Sequence, residues 1–379
     1  MDACVVTDPG LERLACQEVE RLVGGDPVVK KGMVFFRVQS AEEAVLFAYR
    51  SLLARRVLLV VGRGSVREGV HSVVKNIEWK VLKALVKDGE TFAVRCERFG
   101  LYRFGTMEAQ EIVGGAVKKE LRGVNVSLSN PDVLLFLWIC DGEAVLGVDV
   151  VKVDLSKRAY RVFLGSDWLK GSLASGVLEL AEVKEGEVFL DPFCGAGTLC
   201  IEAALRLSGR SPRRYQKDLF VKGCRRASKE VVQSLLDAVD KKEEDAKDPC
   251  IFGFDSRLSS VSAARKNAKI AGVQKRIAIS KVDVEWIDLK FDEGGVDVIA
   301  TCPPRASRLL PESKIEVLYN ELFHQARYAL SSKGRVCVVT SAPDHLKKHA
   351  QARGFALRAE VQVWSGKQEL WLLLWEKRP

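Results

Sequence analysis

Residues 188–205 read VFLDPFCGAGTLCIEAAL. A short apolar run ends in Asp191, and a turn of small residues follows: Cys194-Gly195-Ala196-Gly197-Thr198. After it, Leu, Ile and Ala recur at helical spacing, so the order is strand, glycine turn, helix. Glycine lets the main chain pass close to a ligand, and the helix behind the turn offers unpaired N–H groups. A dinucleotide site wants a third glycine three residues after Gly197, where this chain has Cys200. A phosphate loop wants Lys after its last glycine, where this chain has Thr198. An acid just ahead of the turn suits a cation better than a phosphate. S-adenosylmethionine (SAM) carries an ammonium and a sulfonium, and Asp191 can face that end.

A second constellation, Thr301-Cys302-Pro303-Pro304-Arg305, follows an apolar strand over 296–300. Two prolines stiffen a turn and leave carbonyls without competing N–H donors. Cys302 is a weak acceptor, and Arg305 can stack as a guanidinium plane. Neither His nor Lys stands near Cys302 in sequence to lower its pKa, which argues against a thiolate nucleophile.

The loop Asp-Pro-Phe-Cys-Gly-Ala-Gly-Thr resembles the SAM loop of RNA and DNA amino-group methyltransferases. Those enzymes carry Asn/Asp-Pro-Pro-Tyr/Phe where this chain has 302–305. The resemblance implies that the Asn or Asp oxygen and a proline carbonyl accept the two hydrogens of the target amine. The aromatic residue stacks on the flipped base. This chain departs at both ends of that motif, with Cys302 and Arg305. Pro-Pro-Arg is also similar to the motif of RNA 5-methyluridine methyltransferases, whose catalytic cysteine lies in a later Ser-Cys-Asn-Pro turn. The corresponding turn here is Thr340-Ser341-Ala342-Pro343 and holds no cysteine.

The elements that must carry these groups alternate from Gly186 onward as strand and helix, the pattern of a doubly wound α/β sheet. Ligands in such sheets bind at the carboxyl ends of the strands. The second strand, 251–255, ends in Asp255, followed by Ser256. That carboxylate can accept from both ribose hydroxyls, or it can cap the helix expected over 261–271. After the third strand, Asp283 can accept from the adenine amine and Val284 can line the ring, with Asp288 as a nearby rival. The expected cofactor contacts are Asp191, Phe193, Cys194, Gly195, Ala196, Gly197, Thr198, Asp255, Ser256, Asp283 and Val284.

Residues 1–65 read as strand, helix, hairpin, helix, strand, a ferredoxin-like order. Residues 66–155 form a second module, with an amphipathic helix over 70–86, a strand over 90–96 and a helix over 106–120. Two strands then flank an Asp141-Gly142 turn, a strong hairpin signal. Thr91-Phe92-Ala93-Val94-Arg95, Val113-Gly114, Asn130-Pro131-Asp132-Val133 and Lys157-Arg158-Ala159-Tyr160-Arg161 resemble the THUMP domain, an RNA-binding module. Arg95, Arg98, Arg103, Lys118, Lys157, Arg158 and Arg161 are the expected RNA contacts, with Phe99 and Tyr102 interleaved. Beyond the connector the family has Ala-Pro-Leu beside the SAM site, where this chain has Asp167-Trp168-Leu169. Arginines and lysines of 213–226 read either as a further basic patch or as a solvated surface.

The 379 residues carry a net charge of +9, which favours a polyanionic partner. Ten scattered cysteines without a Cys-x-x-Cys pair, and only four His, argue against zinc or a disulfide framework. Without a long apolar run or a basic leader, a cytoplasmic protein is expected. The domains expected are ferredoxin-like 1–65, THUMP 66–155 and a Rossmann-like class I methyltransferase domain 156–379. The resemblance implies SAM-dependent methylation of a guanosine N2 in structured RNA, tRNA ahead of rRNA. An RNA-binding protein that is inactive, or active only with a partner subunit, is the rival, because of Cys302 and Arg305.

Overall fold

The computed structural model describes residues 1–164, 169–241, 250–308 and 310–378. Asp167 and Trp168 lie outside the described residues. The chain divides into two compact units, 1–155 with 213–241, and 156–212 with 242–379.

The first unit is built on one eight-stranded sheet. Its strands are β1 (Asp2–Val6), β2 (Val28–Lys30), β3 (Met33–Arg37), β4 (Arg56–Ser65), β5 (Thr91–Phe99), β6 (Asn125–Val126), β7 (Val133–Cys140) and β8 (Glu143–Asp149). Their order is β2-β3-β1-β4-β8-β7-β5-β6. The first four are antiparallel neighbours, as a ferredoxin-like unit requires. The two modules expected at 1–65 and 66–155 therefore share a sheet, because β4 pairs with β1 along one edge and with β8 along the other. That sheet curls. A Cβ on Gly32, between β2 and β3, would stand 3.0 Å from Trp138 Nε1 of β7. Inside the curl Cys4, Val6, Met33, Leu58, Phe136 and Trp138 form a core.

Asp141 and Gly142 both take positive φ, 54° and 77°, the mirror-image turn that matches strand twist. The helix expected over 70–86 is instead two, His71–Lys75 and Trp79–Leu85. Between them the Glu78 N–H donates to the Val61 carbonyl of β4 (2.7 Å), and the Asn76 amide donates to the Arg63 carbonyl (3.2 Å). Gly62 permits this approach, since a Cβ there would lie 3.3 Å from Ile77 Cα.

The basic insertion is mixed: Lys222 and Arg225 are exposed, as a solvated surface would have them, while Arg213, Lys217 and Arg226 turn inward. Arg213 is buried and donates to the Ser51 (2.5 Å) and Leu155 (3.0 Å) carbonyls. Arg226 pairs with Glu90, Arg225 with Asp132, and Lys217 with Asp237 and Asp240. Residues 213–241, expected within the third domain, thus pack with the first unit.

The second unit holds β9 (Phe189–Asp191), β10 (Ile251–Asp255), β11 (Ile277–Lys281), β12 (Val296–Thr301), β13 (Leu330–Thr340), β14 (Phe355–Ser365) and β15 (Gln368–Lys377). The order is β11-β10-β9-β12-β13-β15-β14. The first five run parallel, and β15 and β14 are antiparallel. The order reverses at β9, so the crevice at its carboxyl end is where a ligand fits.

Asp132 accepts from the Thr91 main-chain N–H (2.9 Å), from Arg225 and from the Thr91 hydroxyl (2.9 Å). These bonds, the Thr91 N–H foremost, hold its carboxyl at about 2 against an ordinary 3.8. A folded-state pKa below the unfolded value adds stability at neutral pH and loses it as pH falls from about 4 through about 2. After allowance for screening, the contribution is about 1–2 kcal/mol. Asp132→Asn should flatten this acid limb in a denaturation series against pH. Superimposable acid limbs for variant and wild type would remove Asp132 from that role.

Candidate active site

The acids expected to hold a ligand gather at the carboxyl ends of adjacent strands. Asp191 ends β9 and is 1% exposed. Its Oδ1 accepts from the Phe193 N–H (3.1 Å) and from the Thr301 hydroxyl at the end of β12 (2.6 Å). Asp255 ends β10, is 6% exposed and accepts from the Gly195 N–H (3.2 Å) and the Arg257 N–H (2.8 Å). The helix Leu258–Ile270 has Arg257 at its N-cap and no side-chain capping bond. Asp255 is therefore not the helix N-cap; its two oxygens tie the glycine turn to the residue ahead of the helix. Asp283 follows β11 and is half-buried.

The glycine turn lies where the strand spacing puts it, and its glycines act locally. Gly197 has φ +85°, and a Cβ there would meet Ala264 Cβ at 2.9 Å. Gly195 has φ +52°. Cys194 and Cys200 fold back on β10, where a Cβ on Gly253 would sit 2.9 Å from Cys200 Sγ. Phe193 and Gly195 are partly exposed and Ser256 is exposed, whereas Cys194, Ala196 and Thr198 are buried. Val284 sits in the apolar core with Val282 and Ile287, so beyond its main chain it offers a ligand little surface. Within the turn Phe193 and Gly195 keep surface open, while Cys194, Ala196 and Thr198 pack inward and hold its shape.

Two further ties fix this turn. The Asn267 amide nitrogen donates to the Ala196 (3.0 Å) and Phe163 (2.8 Å) carbonyls, and its oxygen accepts from the Phe163 N–H (3.0 Å). Glu202 stands one turn inside the helix Thr198–Leu207. It accepts from Arg158 twice (2.9 and 3.1 Å), from Tyr160 (2.6 Å) and from Ser175 (2.7 Å). Those donors outweigh burial and keep its carboxyl below the usual range. Arg158, expected to touch RNA, is thus an internal counter-ion, while Lys157 stays exposed and Arg161 half-buried.

At the second constellation, Cys302 and Pro304 are half-buried, Pro303 is buried and Arg305 is exposed. The Tyr319 hydroxyl, from the helix Glu312–Ala329, donates to the Pro304 carbonyl (3.0 Å). That bond uses one lone pair of the Pro304 carbonyl and ties the proline turn to this helix. Burial pushes the Tyr319 hydroxyl up to about 12, so it remains a donor at neutral pH. Thr301 opens the second constellation but carries no role in the sequence reading, and Tyr319 is absent from it. Thr301 left a faint signal, a hydroxyl ending an apolar strand; Tyr319 left none.

In the first unit, Arg95, Arg98, Arg103 and Lys118 are exposed. Arg98 donates to the Phe104 carbonyl (2.5 Å) and lies over the Tyr102 ring (5.9 Å). Arg95 bonds the Leu128 carbonyl and Lys118 bonds Asn125. The loops 66–71, 100–104 and 141–142 enclose a cavity of about 760 Å³ whose lining includes Arg67, His71, Tyr102 and Arg103.

Parallel strands reversing order at β9, acids on successive strand ends and a glycine turn between them define a SAM-dependent class I methyltransferase. A family model described as RMKL-like, methyltransferase domain, matches residues 158–369, and one for the THUMP domain matches 69–149. The chain belongs to the RMKL-like methyltransferase family. It is 28% identical to a tRNA (guanine(6)-N2)-methyltransferase of Methanocaldococcus jannaschii, over 97% of each chain. Identity is 27% to the ribosomal RNA large subunit methyltransferase K/L of Aliivibrio fischeri, over 85% of this chain and 46% of that one. The crystal structure of TrmN from Thermus thermophilus is similar at a TM-score of 0.72 and 25% identity, covering 100% of this chain and 99% of the other. SMU.472 complexed with SAH has the same fold, with a TM-score of 0.82 at 22% identity over 100% and 98% of the chains. No described helix is long and apolar enough to cross a membrane.

If Asp255 holds the ribose, Asp255→Ala should weaken SAM binding by about fivefold or more, the loss of hydrogen bonds to a charged group. Titration calorimetry reads this directly, and unchanged affinity in a folded variant would end the assignment.

Proposed function

We propose that this protein transfers the methyl of SAM to the N2 amine of a guanosine in tRNA. The observation that carries the reading is the match, over 97% of each chain, to the tRNA (guanine(6)-N2)-methyltransferase of Methanocaldococcus jannaschii. The match to the rRNA enzymes spans less than half of their length, which puts rRNA second. The donor set fits SAM: two nearly buried carboxylates and a half-buried third stand on successive strand ends beside a glycine turn.

When bound, SAM supplies an electrophilic methyl on a sulfonium. Asp191, at the end of β9 just ahead of the turn, would balance the cationic end; Asp255 would accept from the ribose, and Asp283 from the adenine amine. On the acceptor side the Pro303 carbonyl takes one amine hydrogen. The Cys302 sulfur stands where the second acceptor would be, and sulfur accepts poorly. Arg305 presents a planar cation on which a flipped base can stack. Catalysis then rests on orientation, since an oriented amine lone pair needs no covalent intermediate. The exposed Arg95, Arg98, Arg103, Lys118 and Lys157, with the loop cavity beside Tyr102, offer the RNA phosphate contacts and one aromatic face. A cytoplasmic setting accords with this substrate.

Incubation with labelled SAM and tRNA lacking the modification should place label on N2-methylguanosine, read by nucleoside mass spectrometry. Label on another nucleoside would mean that the altered corner has changed the target atom. No label, with SAM and tRNA both bound, would favour the partner-dependent or inactive reading.

Cys302→Asn should hold or raise turnover, because an amide oxygen is the better acceptor. A folded Cys302→Asn protein that loses a measurable wild-type activity would give the thiol a role of its own.

A further inference from the structure

We propose that Thr301 is a positioning residue that couples the methyl-donor site to the base-binding corner. The inference rests on the methyl-transfer reading. β9 and β12 are adjacent and parallel, with Leu190 opposite Ile299. Their carboxyl ends therefore reach the crevice side by side, one ending in Asp191 and the other in Thr301. The Thr301 hydroxyl donates to Asp191 Oδ1 at 2.6 Å, and both residues are buried. A hydroxyl–carboxylate bond in a dry setting is short, strong and directional.

The Phe193 N–H donates to the same oxygen, so Oδ1 is held from the turn on one side and from β12 on the other. Cys302 is the next residue after Thr301. Any shift of Asp191 toward a bound cation is carried to Cys302 through one hydrogen bond and one peptide unit. The strand itself argues that the hydroxyl is there for the carboxylate. β12 reads VDVIAT and is buried over its last four residues, a place where valine would satisfy packing alone. The far end of the motif is held by a second hydroxyl, Tyr319 on the Pro304 carbonyl. The tetrapeptide 302–305 is thereby tethered at both ends, and the near tether is the cofactor acid.

Thr301→Val removes the hydroxyl at nearly constant volume, and Thr301→Ser keeps it. SAM affinity by calorimetry, kcat and KM for SAM with tRNA, and melting temperature separate a positioning role from a structural one. Thr301→Val should weaken SAM binding roughly tenfold, the scale of a lost charge-assisted bond. It should also lower kcat as well as raise KM, while Thr301→Ser stays within about twofold of wild type. Should the valine variant not fold, Thr301→Ala gives the same comparison. A variant that melts lower yet binds SAM and turns over like wild type would overturn the coupling. A wild type that binds SAM but methylates no RNA would sink the transfer reading; if Thr301→Val then binds SAM normally, the positioning role falls separately. A wild type that binds no SAM overturns both.

Discussion

Glu202 is fully buried and accepts from Arg158, Tyr160 and Ser175. An ionised carboxylate in such a place costs several kcal/mol unless its lone pairs are met. The Arg158 fork meets two of them, and a phenol and a hydroxyl meet the others. The helix that carries Glu202 is the one opened by Gly197, so the same bonds that neutralise the charge locate the turn. The stretch that carries Arg158 and Tyr160 continues to Phe163, which Asn267 clips to the Ala196 carbonyl. Remove the carboxylate and a buried guanidinium loses its two-bonded counter-ion, while the segment bordering the turn loses an anchor. Gly171 belongs to the same arrangement, since a Cβ there would lie 2.5 Å from Arg158 Cγ.

The donor half and the acceptor half of the crevice are built differently. On the donor side two of the three acids are already hydrogen-bonded by the main chain, Asp191 by Phe193 and Asp255 by Gly195 and Arg257. Such carboxylates are preorganised and spend little on ordering when a cation arrives. On the acceptor side the polar atom that relatives of the amino-group class place on Asn or Asp is a thiol here. What remains is stiffness, from two prolines and two hydroxyl tethers. That arrangement leaves orientation as the main source of rate acceleration.

Much of this was legible in the chain before any fold was known. Asp141-Gly142 announces its turn because both residues tolerate positive φ. Asp255 announces a strand end because IFGFD is an apolar run closed by an acid ahead of a helical period. The 70–86 helix was misread because periodicity does not report a competitor. The Asn76 side-chain amide and the Glu78 N–H are drawn to carbonyls of β4, an approach that Gly62 admits and that helical period does not report. Arg158 was misread for a related reason. A basic residue beside Lys157 and Arg161 looks like a phosphate contact until the buried acid opposite it is known.

Sequence alone determined the class of chemistry. An acid, a glycine turn and a helix in that order admit a cationic nucleotide and disfavour a phosphate loop, whatever the rest of the chain does. It also determined where strands end, because period and punctuation are local. Tertiary structure alone decided which charges are free. Arg213, Lys217 and Arg226 are consumed as ties within the first unit, Arg158 is consumed by Glu202, and Thr301 and Tyr319 acquire roles through neighbours 110 and 15 residues away. Charge and hydroxyl function depend on what lies across a few ångströms of space, and no spacing rule along the chain carries that information.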